Sequence, residues 1–296
     1  MSKQLLLIMI LFIAIVFTAP GFAQSIIINE IMAQNKDAVF DGDFHQACDW
    51  IELYNAGLST QSLSGYFLTD DKDDLYKWPI PDINIGMNSF KLFWADSKDR
   101  VLNELHTNFK LSSSGEWVAL VAPNGAIVDS MTFGRQFADI SYGREQDHLF
   151  NVGYLTHPTP NAPNIGDIYK TDEQNVEPNP QSASGHFSSG VSITIPGSGS
   201  DVVVRYTLDG SAPSPVSPIF AAPLVLDTTA VFRARSFSEG KLPSDIATRT
   251  FIINERSDLP VVSIATTPRN LWSEADGIYV SRDIARRKEW ERHGIV

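Results

Sequence analysis

Cysteine is almost missing from this chain: one residue, Cys48, in 296. A single thiol excludes any disulfide within the chain, so its domains must hold together by burial alone and must each be of ordinary size to do so. Cys48 itself, directly before a strand pattern and with no base visibly arranged for it, reads as a half-buried small hydrophobe and not a nucleophile. Positive charge is scarce as well. The chain carries 23 Lys and Arg against 35 Asp and Glu, a net charge of -12, and such a surface repels a phosphate backbone, which excludes nucleic acid as a partner. Helical periodicity is nearly absent, and no Gly-rich loop opens a helix to cradle phosphates. The histidines, at 45, 106, 148, 157, 186 and 293, show no His-x-x-x-His or His-x-Glu spacing, which argues against a zinc hydrolase.

One long apolar run is present, at residues 5–18, after Ser2-Lys3 and before Gly21-Phe22-Ala23. It is shorter than the roughly 20 residues that span a bilayer, and the small residues suit a signal peptidase. Residues 1–23 are therefore expected to be a signal peptide cleaved after Ala23. The mature protein would be secreted or held at the cell surface, with no transmembrane segment once the signal is removed. Its acidity is uneven: residues 24–164 hold 19 acids and 9 bases, residues 165–254 hold 9 and 6, and residues 255–296 hold 7 and 7.

What fills the rest is strand. In Asp49-Trp50-Ile51-Glu52-Leu53-Tyr54-Asn55, Trp50, Glu52 and Tyr54 alternate with Ile51 and Leu53 in the two-residue period of a strand, and Asn55-Ala56-Gly57 closes it with a turn. Similar short runs occur at 26–32, 63–68, 89–95, 116–121 and 126–133, and Pro123-Asn124-Gly125 between the last two supplies the positive φ of a tight reversal. Many short strands at regular spacing mean a β-sandwich or barrel. Ile28-Asn29-Glu30-Ile31-Met32, the run 49–55, Leu63-Ser64-Gly65-Tyr66-Phe67-Leu68-Thr69-Asp70, Phe109-Lys110-Leu111-Ser112 with Gly115-Glu116, Ser141-Tyr142-Gly143-Arg144 and the closing 157–164 together resemble the bacterial lamin-tail domain over residues 25–164. That resemblance implies an immunoglobulin-like β-sandwich and an interaction or anchoring role, without a known catalytic constellation.

Proline and asparagine crowd residues 158–180, and residues 165–176 read as a linker that a protease should cut first. A second β-rich unit follows at 177–254, with strand patterns at 191–195, 201–207, 221–226, 230–237 and 246–253. Its run Arg205-Tyr206-Thr207-Leu208-Asp209-Gly210-Ser211-Ala212-Pro213, with Phe232-Arg233-Ala234-Arg235-Ser236, resembles the chitobiase/β-hexosaminidase C-terminal-like domain. That family implies a second immunoglobulin-like or fibronectin-like sandwich, an accessory module of secreted sugar-active and surface proteins. From residue 255 on, Leu259-Pro260-Val261-Val262-Ser263, Asn270-Leu271-Trp272, Gly277-Ile278-Tyr279 and Trp290-Glu291-Arg292 resemble the start of the spore-coat-protein-H (CotH) kinase-like family. The resemblance implies an incomplete α+β edge whose ATP, Mg²⁺ and catalytic residues lie downstream of Val296, so no catalytic or cofactor-binding residue is assigned within the chain. The fold expected is all-β: two consecutive immunoglobulin-like sandwiches.

Two sites stand out on chemistry. Asp70, Asp71, Asp73 and Asp74 offer oxygen ligands in one loop, suited to Ca²⁺, although the EF-hand spacing is missing and a solvated acidic turn has the same composition; Asp41-Gly42-Asp43 is a lesser version. Trp78, within Lys77-Trp78-Pro79-Ile80-Pro81, sits in a Pro-rich loop where an exposed indole could stack on a ligand, whereas Trp50, Trp94 and Trp117 lie in strand patterns and read as core. Two functions follow. One is a non-catalytic, exported assembly that binds a cell-surface polysaccharide or protein; the other is the amino-terminal part of a secreted kinase-like enzyme.

Overall fold

The computed structural model describes residues 26–36, 38–147, 150–166, 168–197, 199–221, 223–255, 260–266, 271–272 and 279; the expected signal and Trp290-Glu291-Arg292 lie outside them. The described chain is all-β. No helix among the described residues is long and apolar enough to cross a membrane.

The first part, as far as Leu155, contains thirteen strands: β1 (Ile26–Met32), β2 (Trp50–Asn55), β3 (Gln61–Ser62), β4 (Phe67–Thr69), β5 (Trp78–Pro79), β6 (Asn84–Ile85), β7 (Phe90–Trp94), β8 (Arg100–Val101), β9 (Leu105–His106), β10 (Glu116–Val121), β11 (Ile127–Phe133), β12 (Ser141–Arg144) and β13 (Val152–Leu155). A seven-stranded sheet runs β13-β12-β1-β2-β7-β9-β8 and a four-stranded one β11-β10-β4-β5, with β3-β6 as a separate pair. Between the two larger sheets, Ile28, Ile31, Ile51, Leu53 and Phe93 meet Leu68, Val118, Leu120, Met131 and Phe133 in one core. The Asn-Gly reversal forms as its composition requires: Ala122 N–H and Ala126 C=O close it at 2.8 Å and Gly125 has φ 81°.

The expected strand at 63–68 pairs only from Phe67. Tyr66 N–H bonds back to Leu63 C=O at 3.0 Å, and Gly65 takes φ 75°, so the chain turns over 63–66 before it can join a ladder. Leu63 is still fully buried.

Along β2 the side chains alternate between the two faces of the sheet. Both faces are buried, since Ile51 and Leu53 enter the sandwich while Trp50 and Glu52 on the other side are also fully covered. The cover comes from two excursions. Ala38, Val39 and Cys48 close over Met32, Trp50, Leu92 and Trp94, and Thr159 and Asn161 reach Glu30 and Glu52.

The second part contains β14 (Gly185–Phe187), β15 (Val191–Ile193), β16 (Val203–Thr207), β17 (Leu224–Leu226), β18 (Ala230–Phe237) and β19 (Ala247–Ile253). Its sheets run β14-β19-β18-β16 and β15-β17. In β18 the alternation holds, with Phe232, Ala234 and Ser236 buried between the half-buried Arg233 and Arg235. Phe232, Phe251, Ile193 and Val204 anchor the core.

The two parts touch. Leu242, wholly buried, packs with Phe137, Ile140 and Tyr154. The joining segment is also tied at both ends: Tyr154 and Tyr169 exchange two main-chain hydrogen bonds of 2.9 Å, and Leu242 N–H and C=O bond to Glu173 C=O and Asn175 N–H, each at 2.9 Å. Protection of residues 165–176 should therefore depend on that apolar contact. Leu242→Ala is expected to speed cleavage within 165–176 several-fold in limited proteolysis, by removing the methyls that seat the segment. Unchanged cleavage would mean that the contact does not hold it.

Candidate functional site

The four aspartates in the loop after β4 are not gathered around a common point. Asp70 pairs with Lys77 Nζ at 2.6 Å, Asp71 Oδ1 accepts Asp73 N–H at 2.9 Å, and Asp74 Oδ1 accepts Tyr76 N–H at 3.2 Å. Asp71 and Asp74 thus cap their own turn, as short acidic side chains do. Trp78 requires a correction, because it is not an exposed platform but 2% exposed. It lies on β5, the edge strand of its sheet, where Pro79 is tolerated. Its ring meets Phe93 edge-on at 6.1 Å and its Nε1 donates to Asp99 at 3.2 Å.

The described residues do gather titratable side chains elsewhere. The loop between β1 and β2 folds back against β8, β9 and the turn between them, so that Asp41 and Asp43 meet Glu104 and His106, with Asp96 and Lys98 arriving from the segment after β7. His106 is fully buried, and its Nδ1 lies 2.9 Å from Asp96 Oδ2. Its Nε2 reaches no closer than 3.5 Å to Asp43 Oδ2, an approach that makes no hydrogen bond. Phe44 stands edge-on to the imidazole at 5.0 Å. Lys98 Nζ bonds Asp96, lies 3.5 Å from Cys48 Sγ and sits over the Phe44 ring at 4.6 Å.

Each carboxylate is held by donors. Asp41 accepts the main-chain N–H of Phe44 and, at 3.2 Å, that of Gln46. Asp43 accepts Asn103 Nδ2 at 2.7 Å and Glu104 N–H at 2.8 Å, and Glu104 Oε2 accepts Gly42 N–H at 2.5 Å. Burial would raise Asp43 and Asp96, but the hydrogen bonds from Glu104 and Asn103 in one case, and from Lys98 and His106 in the other, outweigh it and hold both below the ordinary carboxylate range. Cys48 is the reverse. Burial pushes its thiol up to about 12 against the pull of Lys98, so it is a neutral S–H at physiological pH, in line with the inert thiol expected. A cleft of about 350 Å³, bordered by Cys48, Asp96, Lys98 and Lys110, reaches this cluster from outside.

A second polar group lies on the outer face of the seven-stranded sheet. Glu30 and Glu52 are direct cross-strand partners and both are wholly buried. Glu30 accepts Ser141 Oγ, Thr159 N–H and Thr159 Oγ1, the last at 2.9 Å. Glu52 accepts Asn161 N–H and, at 3.1 Å, Asn29 Nδ2. Burial pushes Glu30 up to about 7 despite those donors, while burial and the adjacent Glu30 charge push Glu52 up to about 9.

Sequence spacing could not have found the first group. Asp41, Asp43, Asp96, Glu104 and His106 come from three separate segments, and a local His/Asp/Glu motif is legible only when one helix or turn carries it. The folded chain thus presents two all-β units with a buried histidine-carboxylate cluster in the first. Residues 22–135 match the model of the Lamin Tail Domain, and residues 182–248 match that of the Chitobiase/beta-hexosaminidase C-terminal domain. Each segment is similar to the family its sequence resembled. No curated protein matches the chain. The strands β12 and β13 lie beyond the first match, yet both are hydrogen-bonded into the same sheet as β1.

Proposed function

We propose that this chain is an exported accessory region, in which two immunoglobulin-like modules in series bind an extracellular or cell-surface polymer and perform no chemistry on it. The observation that carries this reading is the succession of the two matched modules in one chain. The family of the second takes its name from the C-terminal domain of chitobiase and β-hexosaminidase, so an amino-sugar polysaccharide is the first ligand to test. Where the modules touch, a cleft of about 390 Å³ is lined by Lys36, Asp139, Arg233, Arg235 and Asp245, a set of donors and acceptors suited to hydroxyl and amide groups.

Purified residues 24–296 are expected to co-sediment with insoluble chitin or peptidoglycan, and Arg235→Ala is expected to weaken retention several-fold. Incubated with labelled ATP and Mg²⁺ or Mn²⁺, the same protein is expected to show no turnover above a heat-killed control. Turnover, or failure to bind any polysaccharide or extracellular protein offered, would overturn the reading.

A further inference from the structure

We propose that the cluster around His106 is a binding site for a divalent transition-metal ion of the Zn²⁺ class, with Asp41, Glu104 and His106 as its protein ligands. One carboxylate oxygen from each acid and one ring nitrogen of His106 lie within 4.8 Å of one another, a span that a small contraction brings onto the ~2.0–2.2 Å bonds of such an ion. With Nδ1 engaged by Asp96, Nε2 is the ring nitrogen left to bind, and it is a buried polar atom with no hydrogen-bond partner. A carboxylate on the far nitrogen of an imidazole is the arrangement that fixes the tautomer and aims the remaining lone pair at a metal. Here that lone pair faces acids. Asp43 Oδ2 lies 3.5 Å from Nε2.

The ligand set selects the ion. Imidazole favours Zn²⁺ and its first-row neighbours over Ca²⁺ or Mg²⁺, and the two acids supply the harder donors that Zn²⁺ also accepts. The supporting bonds are in place as well. Gly42 N–H holds Glu104, Phe44 and Gln46 N–H hold Asp41, and Glu104 N–H holds Asp43, so each acid retains lone pairs for an ion while its orientation is set by the backbone. The cleft beside Cys48 borders Asp96, the carboxylate that holds the imidazole.

The consequence for the fold is a cross-link. Asp41 lies on the excursion that covers Met32, Trp50, Leu92 and Trp94, while Glu104 and His106 belong to the β8–β9 hairpin and its turn, so one ion would clamp the cover to the sheet. In a chain with a single cysteine, a metal can do what a disulfide cannot. This inference goes beyond the binding reading above and does not depend on it.

The test uses purified residues 24–296 stripped of metal with a chelator and titrated with Zn²⁺ against a chromophoric competitor. One Zn²⁺ per chain is expected to bind, with a melting temperature at least about 5 °C higher at saturation, and with Ca²⁺ and Mg²⁺ producing neither effect. Glu104→Gln, which keeps an oxygen for Gly42 N–H, is expected to weaken Zn²⁺ at least tenfold and to remain folded; His106→Gln should weaken it further. Cys48→Ser is expected to bind as the parent does, and the Co²⁺-loaded protein should show no sulfur-to-metal charge-transfer band. Absence of a stoichiometric site, full affinity in folded Glu104→Gln, or loss of binding in Cys48→Ser with a thiolate band would each overturn the proposal.

Discussion

Replacing Arg144 with alanine should destabilise the first module by about 3–5 kcal/mol, the cost typical of breaking a buried ion pair and leaving one charge behind. Arg144 Nη2 lies 2.7 Å from Asp129 Oδ2, with both side chains less than a tenth exposed. The pair also repairs the backbone. Between Ile28 and Glu30 the β1–β2 register slips, and at this bulge Ile28 N–H donates to Asp129 Oδ2 at 2.7 Å while Arg144 Nε donates to Ile28 C=O at 2.8 Å. Alanine at 144 would leave a carboxylate and a carbonyl in the interior without that partner, and the bulge would lose half of its clamp. Urea denaturation followed by tryptophan fluorescence measures the loss. The double change Arg144→Leu with Asp129→Leu should recover part of it, because apolar replacement of both partners removes the stranded charge. A single-variant loss below about 1 kcal/mol would show that the pair is solvent-screened and not structural.

The same residues explain how far the fold could be read in the sequence. Alternation in 49–55 announced a strand, because period two is a property of the chain alone. That the outward face is also buried is a property of the cover, and the cover comes from residues 38–48 and 157–164, far away in sequence. Trp78 was misplaced for a related reason. Two prolines closely following a tryptophan look like a loop, but an edge strand accepts a proline on its free side, and the indole turns inward onto Phe93. Composition left Asp70, Asp71, Asp73 and Asp74 open between a Ca²⁺ loop and a solvated acidic turn, because it does not say where a carboxylate points; in the folded chain Asp71 and Asp74 cap their own turn.

The polar residues inside the lamin-tail-like runs are the clearest case. Asn29, Glu30, Glu52, Arg144 and Asn164 come from four separate places in the sequence and would ordinarily be read as solvent-facing. All five are buried, and Asn164 Nδ2 bonds Arg144 C=O at 2.6 Å while Asn29 bonds Glu52. A motif can thus be recognised from spacing, whereas the reason for its polar letters appears only when the strands bring them to one face. The histidine-carboxylate cluster was less legible still, since no run in the sequence holds more than a fragment of it.

Glu30 and Glu52 give the first module an expected pH dependence opposite to ordinary acid denaturation. Two carboxylates directly across an antiparallel pair repel when both are ionised, and burial removes the water that would screen them. Asn29 Nδ2, moreover, has two protons for three oxygens, Glu52 Oε1 at 3.1 Å, Asp147 Oδ1 at 3.0 Å and Asn164 Oδ1 at 3.3 Å, so the donors nearby are too few to serve every ionised carboxylate. The folded state therefore holds protons that the unfolded chain releases near the ordinary value of 4.5. Raised folded values mean stability that is fully present below 4.5 and is lost as pH climbs, through about 7 for Glu30 and about 9 for Glu52. Burial raises Asp49 to about 6, which adds to the same slope at its acid end. Asp43, Asp96 and Asp209, held below the usual range, contribute the opposite slope, but only beneath about pH 4. From Glu30 alone the loss between pH 5 and pH 9 is roughly 3 kcal/mol, because a proton held only by the folded state costs about 1.4 kcal/mol for each pH unit climbed between 4.5 and about 7. Urea midpoints at pH 5, 7 and 9 should fall in that order, and Glu52→Gln, neutral at every pH and equally able to accept Asn161 N–H, should flatten the fall above pH 7 while leaving the Glu30 contribution between 5 and 7. A midpoint that rises from pH 5 to 9, or a Glu52→Gln curve parallel to the parent's, would show that both carboxylates are ionised in the folded protein and that the donors around them outweigh their burial.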